Sequence, residues 1–160
     1  MPLSKEAIKS SYPLPVYNYR VTVLDDGEPS VIAFSEVSGL TVEDQPVVYR
    51  HGFSFAMGIN IIPGMRQPIR LTLKKGLIRN GSYLQEWLDR SHSSPAASSS
   101  KRDIVIDLCD ESGLPAIRWN VKQALPVKLE APTLAANSND VAIASLELIA
   151  ADLTVDFQPT

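Results

Sequence analysis

Ile69-Arg70-Leu71-Thr72-Leu73-Lys74-Lys75-Gly76 alternates apolar and polar side chains and then stops at a glycine. Successive side chains of a strand point to opposite faces, so this period of two describes a strand with one buried and one wet side. The same signal recurs in both directions along the chain. Upstream, Tyr17, Tyr19, Val21 and Val23 oppose Asn18, Arg20 and Thr22, and Asp26-Gly27 follows as a turn. Val31 to Val37 reads as a second strand closed by Ser38-Gly39, and Leu40 to Arg50 as a third, bent near Pro46 because proline cannot donate to a ladder. Downstream, Ile104, Ile106 and Leu108 oppose Asp103 and Asp107, with a turn at Glu111-Ser112-Gly113. Ile117, Trp119 and Val121 come next, then Val127 to Glu130, Val141 to Ile149 and a terminal strand from Thr154 to Phe157. Many short strands with turns between them predict a mainly β protein, an antiparallel barrel or sandwich.

One helix interrupts this pattern. Ser82 is a natural N-cap, with Gln85 three residues on to complete a capping box. Tyr83, Leu84, Trp87 and Leu88 form an apolar face for packing on the sheet, and Gln85, Glu86, Asp89 and Arg90 face water. The helix is expected to end near Ser91. Residues 91–102, rich in serine, then read as a flexible surface loop, and residues 1–16 as an N-terminal extension. No linker divides the 160 residues, so one domain is expected.

Phe53 to Met65 reads F-S-F-A-M-G-I-N-I-I-P-G-M, apolar yet broken by Gly58, Pro63 and Gly64. Gly and Pro mark an extended loop or hairpin over residues 51–68, while the side chains belong to a buried surface. Soluble monomers rarely show contiguous apolar patches above roughly 300–600 Å². Phe53, Phe55, Met57, Ile59, Ile61, Ile62 and Met65 therefore need cover, from this domain or from another subunit.

Composition removes several classes of function. With 44% hydrophobic and 21% charged residues the chain is globular. A net charge of −3 argues against stable nucleic-acid binding, which requires a basic surface. Cys109 is the single cysteine, which precludes an intrachain disulfide and suits a reducing compartment. Met1 to Pro15 lacks the apolar core of a signal peptide, and no later run reaches the roughly 18 apolar residues of a membrane helix. Folding in a reducing cytoplasm, without a signal peptide, is the expectation.

Candidate chemistry is sparse. His51 and His92 have no partner at metal-ligand spacing, so neither a metal nor a cofactor is expected. Cys109 ends an apolar strand and reads as a small buried hydrophobe. Gly76 and Gly81 bracket four residues, but the Lys-Ser/Thr of a phosphate loop does not follow. Asp25-Asp26 and Asp110-Glu111 fall in turns, where their carboxylates suit turn chemistry better than acid–base work. Lys74-Lys75 and Lys101-Arg102 read as a solvated strand end and a loop flank. No residue is assigned to catalysis.

Several segments in order resemble one family. They are Tyr12-Pro13-Leu14-Pro15, Phe34-Ser35-Glu36-Val37-Ser38-Gly39-Leu40, Val47-Val48-Tyr49-Arg50, Pro63-Gly64 and Leu71-Thr72-Leu73-Lys74-Lys75-Gly76. Trp87, Arg118-Trp119-Asn120-Val121, Ala124-Leu125-Pro126-Val127-Lys128, Asn137 to Ile143 and Leu146-Glu147-Leu148 follow. The chain is similar to the T4-like phage tail tube family, especially the inner tube proteins of extracellular contractile injection systems. That resemblance implies a tail-tube or Hcp-like barrel assembling into six-subunit rings. The rings would stack into a hollow tube that a sheath drives through a target envelope. It further implies sheath, baseplate and cap proteins as partners, protein cargo in the bore, and release within an extracellular particle or a phage virion. The apolar residues 53–65 would then lie on neighbouring subunits. Arg70, Thr72 and Lys74, or Asp103 and Asp107, become candidates for a polar lumen.

Overall fold

The computed structural model describes residues 4–25, 28–53, 58–79, 81–93 and 101–159. In chain order the elements are α1 (Lys5–Ser10), β1 (Tyr19–Asp25), β2 (Glu28–Ile32), β3 (Glu36–Ser38), β4 (Val47–Tyr49), β5 (Asn60–Ile62), β6 (Ile69–Gly76), α2 (Tyr83–Ser93), β7 (Arg102–Cys109), β8 (Pro115–Glu130), β9 (Ile143–Ala150) and β10 (Asp152–Phe157). Eight strands form one antiparallel path, β2-β1-β7-β8-β9-β6-β3, with β10 beside β8. The remaining two, β4 and β5, pair only with each other.

The path is open. Among the described residues no pairing closes it into a barrel, and β2 and β3 stand at its ends. What folds it into a sandwich is β8. Its first half, Ile117 to Lys122, runs between β7 and β10, whereas its second half, Leu125 to Glu130, pairs with β9. Between the halves Gln123 takes a left-handed φ of 54°, and the register slips on both flanking pairs. Asp103 secures the bend by accepting the Gln123 amide hydrogen bond at 2.9 Å. A single strand thus belongs to two sheet halves, as expected where a bulge turns a corner. The sequence pattern separated Ile117–Lys122 from Val127–Glu130, because a bulge resets the alternation without ending the strand.

Side chains of the two halves meet in one core. Val21, Val23, Ile104, Ile106 and Val121 come from one half, and Ile69, Leu71, Leu73, Leu146 and Leu148 from the other. Each is essentially fully buried, which stabilises the fold by roughly 1.5–3 kcal/mol per side chain before conformational entropy is subtracted. The alternation in Ile69–Gly76 is therefore realised in full: 69, 71 and 73 are inside, and Arg70, Thr72 and Lys74 share the outer face. Cys109 is buried at the end of β7, and Asp110 organises the following turn by accepting from the Ser112 and Leu114 amides at 2.9 and 3.0 Å.

Several expectations shift. The predicted strand Val31–Val37 is two strands separated by Ala33-Phe34-Ser35, where Phe34 turns inward into the core. Of Leu40–Arg50 only Val47–Tyr49 is strand. A second helix, α1, occupies the N-terminal extension, capped by the Ser4 hydroxyl, which accepts from the Ala7 amide at 3.1 Å. The capping box at α2 is replaced. The Ser82 hydroxyl donates to the Glu86 carboxylate at 3.0 Å, and the Gln85 amide donates to Asp89 at 3.1 Å. Helix α2 reaches Ser93, and residues 94–100 of the serine-rich loop lie outside the described residues.

Candidate assembly surfaces

The exposed face of the structure begins at Gly39. Its φ is +89°, and a Cβ there would overlap the Arg70 carbonyl, so glycine lets the chain turn tightly against β6. From that point the described residues 40–53 and 58–68 form an arm that includes β4 and β5. Its neck is held by the Gln45 amide on the Met65 carbonyl (3.0 Å), the Gln67 amide on the Glu43 carbonyl (2.8 Å), and the Asp44–Arg66 bridge. Gly64 lies so close to the Gln45 carbonyl that a Cβ would collide with it. Arg66 reaches both Asp44 (3.2 Å) and Asp152 (3.4 Å), pinning the neck to the start of β10. These hydrogen bonds hold the Arg66 guanidinium pKa above its ordinary value, with the Asp44 bond contributing most.

Beyond the neck, β4 and β5 form a hairpin in which every residue is exposed. Phe53 is 66% exposed, Ile61 67% and Met65 83%, and Ile59 and Ile62 are also open. Val47, Val48 and Tyr49 join them, which the sequence reading had assigned to an ordinary third strand. Phe55 and Met57 lie outside the described residues. The described apolar residues are thus brought together on one hairpin, about half exposed or more.

Helix α2 shows the opposite arrangement. Leu84 and Trp87 are buried in the core, and Tyr83 and Leu88 are half-buried. Beneath them Arg102, expected in a loop flank, is almost wholly buried. Its guanidinium carbon sits 5.2 Å from the Tyr83 ring and 5.0 Å from the Trp87 ring, a double cation–π contact. Arg102 also donates to the Tyr83 hydroxyl at 2.6 Å and pairs with Asp25 at 3.2 Å. Burial outweighs the neighbouring cation and pushes the Tyr83 phenol pKa up. Composition did not reveal this clasp, because a basic dipeptide beside a serine run looks the same whether solvated or caged.

The lumen candidates separate onto the outer faces of different sheet halves. Arg70 is exposed, Thr72 and Lys74 are half-buried, and Lys74 pairs with Glu36 at 3.3 Å. On the other half, register aligns Arg20, Asp107, Arg118 and Asp156 across four strands. Asp107 is buried between its neighbours, taking Arg118 at 2.7 Å and Arg20 at 3.2 Å. The Asp107 hydrogen bond holds the Arg118 pKa above its ordinary value. Asp103 is occupied by the β8 bend and by Lys122 at 3.5 Å.

A groove of about 890 Å³ opens between the sheet halves, lined by Tyr19, Ile32, Phe34, Val37, Leu40 and Trp119 among others. The Tyr19 hydroxyl closes its inner wall by donating to the Phe34 carbonyl at 2.6 Å. Burial, with a smaller contribution from Glu36, raises the Tyr19 pKa. Among the described residues no cluster of metal-ligating side chains occurs, and no helix is long and apolar enough to cross a membrane.

Known proteins share this architecture. A chain in the sheath–tube complex of an extracellular contractile injection system, PVC, in its extended state superposes with a TM-score of 0.83. It is 31% identical, with 98% of this chain and 100% of that chain covered. A chain of the tube-terminating cap of the anti-feeding prophage gives 0.80 at 31% identity, covering 92% and 93%. A chain of the anti-feeding prophage baseplate also gives 0.80, at 26% identity, covering 92% and 97%. A type six secretion system protein at 10% identity and a TM-score of 0.50 is alike in fold alone. No curated protein sequence matches the chain. The profile of the T4-like virus tail tube protein gp19 matches residues 15–154, which takes in β1 to β9 and most of the core. With that match spanning all but the ends of the chain, and the identity to the PVC complex running the full length of both chains, this is a tail tube protein of the T4-like gp19 family.

Proposed function

We propose that the chain forms the inner tube of a contractile injection system, as hexameric rings stacked into a hollow shaft. The observation that carries this reading is the β4–β5 hairpin. Its described apolar residues are about half exposed or more, in a chain matched end to end by one from a sheath–tube complex. Free strand borders at β2 and β3 point the same way, since open edges invite pairing with another chain and a ring of copies satisfies them. Sheath, cap and baseplate proteins are the further partners, because matching chains come from a sheath–tube complex, a cap and a baseplate. The role is mechanical: the sheath drives the tube through a target envelope, and no residue is assigned to catalysis.

The bore is assigned to the outer face bearing Arg70, Thr72 and Lys74. Asp107 is withdrawn from solvent and Asp103 is engaged at the β8 bend, so that half has fewer side chains left to meet a cargo. A polar bore lets protein cargo pass without adhering. The T4-like virus family profile favours one second reading, the tail tube of a contractile-tailed phage conducting DNA. Electron microscopy of the purified protein tests the proposal. Six-fold rings or tubes with an open bore are expected, and a monodisperse monomer at high concentration refutes it. Reconstitution with protein or with DNA distinguishes the two readings of the bore.

A further inference from the structure

We propose that residues 4–17 form a strap that latches over the β7–β8 end of the sandwich through Lys9 and Glu111, and that ionic strength releases it. This goes beyond the ring reading above and does not depend on it. The strap has a fixed end and a loose end. At the fixed end Asn18 is tied to the end of β7 twice. Its carbonyl accepts from the Cys109 amide at 2.7 Å, and its side-chain amide donates to the Asp110 carbonyl at 2.6 Å. At the loose end, the Lys9 ammonium of α1 pairs with the Glu111 carboxylate in the β7–β8 turn. Pro13 and Pro15 lie between the two ends and stiffen the connection, so α1 swings as a unit on its tether.

Little else holds the loose end. Helix α1 buries no residue, and within residues 4–17 only Leu14 is half-buried. Beneath the strap lies a cavity of about 950 Å³ in place of a packed interface, and its body wall carries Leu108, Ala116 and Ile117, all half-buried. A helix of six residues has no independent stability in water, being well short of the ~12–15 residues that requires. Lys9 and Glu111 are 67% and 65% exposed, and a pair so open to water is weak and screened by salt. Lys9 also has a second acid within reach, because Glu6 stands three residues back on the same helix, at pairing distance. Two arrangements close in free energy follow. In the closed one, Lys9 sits on Glu111 and the apolar wall is shielded. In the open one, Lys9 turns to Glu6, and Leu108, Ala116 and Ile117 are bared. Tyr17 and Leu108 also line the groove between the sheet halves, so opening the strap widens access to that groove as well.

The test measures how close α1 stays to the β7–β8 turn in the soluble full-length chain. Cys109 is buried, so a nitroxide attached through Ser112→Cys, in the same turn as Glu111, marks one exposed site. Paramagnetic broadening of the α1 amide signals then reports the closed strap. Broadening is expected at about 0.01 M salt and should fade towards about 1 M, where the screening length drops to about 3 Å. Glu111→Lys should raise the ratio of open to closed strap about two- to fivefold already at low salt. The reversed pair, Lys9→Glu with Glu111→Lys, should restore the broadening. Glu111→Gln replaces Glu111→Lys if the latter does not fold. Broadening that survives both high salt and Glu111→Lys overturns the latch, since the strap is then held by other contacts such as Leu14. Signals that are sharp at low salt in the parent overturn it too, because the strap does not close. A reversed pair that stays open excludes Lys9–Glu111 as the fastening. None of these outcomes bears on whether the chain forms rings.

Discussion

The sandwich and the β4–β5 hairpin use similar side chains to opposite ends. In the sandwich, Leu71, Leu73, Leu146 and Leu148 are covered by the facing sheet half, and neighbouring outward positions carry polar side chains such as Thr72, Lys74 and Glu147. In the hairpin, Val47, Val48, Ile61 and Ile62 occupy successive positions, so apolar groups emerge on both faces of a two-stranded ribbon. Two strands alone are marginal in water and have no second layer. The difference teaches that hydrophobic content does not locate the core; coverage does. One region completes itself within the chain, and the other stays exposed among the described residues.

The largest effect should separate the two regions directly. Trp87→Ala removes a buried ring that also roofs Arg102, and should cost the monomer about 3–5 kcal/mol. Ile61→Ala should change monomer stability by less than about 0.5 kcal/mol while weakening assembly. Thermal melts of both variants at low concentration check this. An equal loss in both would mean that the hairpin packs on its own body, and the contrast would fail.

Next comes the charged outer row. Asp107→Ala leaves Arg20 and Arg118 facing each other without the buried carboxylate, and should cost about 1–3 kcal/mol. The figure lies below that of a fully buried pair, because the Arg20 side chain is 43% exposed and water screens it. Denaturant titration measures the loss. Gly64→Ala sharpens the comparison from the hairpin side: the added Cβ meets the Gln45 carbonyl, so the neck should deform and assembly fall while the core melts almost unchanged.

Smaller still is Gln123→Gly. Relief of a left-handed φ at a non-glycine residue is offset by glycine's greater entropy in the unfolded chain, leaving a net change under about 1 kcal/mol. The smallest effect concerns pH. Tyr83 holds its phenolic proton more tightly folded than unfolded, because burial raises its pKa. The stability linked to it is complete below the ordinary tyrosine value of about 10 and is lost as pH rises through the folded pKa. Melts from pH 9 upward should show a slope that Tyr83→Phe reduces.

The strands were legible because a half-buried strand must alternate, and Ile69–Gly76, Arg102–Cys109 and Ile143–Ala150 do. The helix was legible from the spacing of Leu84 and Trp87, though not its cap, since Gln85 and Glu86 compete for one serine and geometry favours Glu86. Arg102 and Asp107 were misplaced for a shared reason. A charged residue reads as solvated unless its partners are known, and those partners, Asp25, Tyr83, Arg20 and Arg118, lie up to 87 positions away. The unbroken run of β8 was hidden because a bulge at Gln123 shifts the alternation midway.

The amino-acid sequence alone thus determined the β class, the one long helix, the impossibility of an intrachain disulfide and the presence of an apolar segment in search of cover. Short-range periodicity and turn chemistry depend on neighbours in sequence, so a single chain of letters carries them. Only the tertiary structure decided that β8 bends between two sheet halves, that Arg102 lies caged beneath Trp87, and that the apolar hairpin stands clear of its own body. Burial is a property of what lies across a gap, and the residues that meet there are brought together by folding.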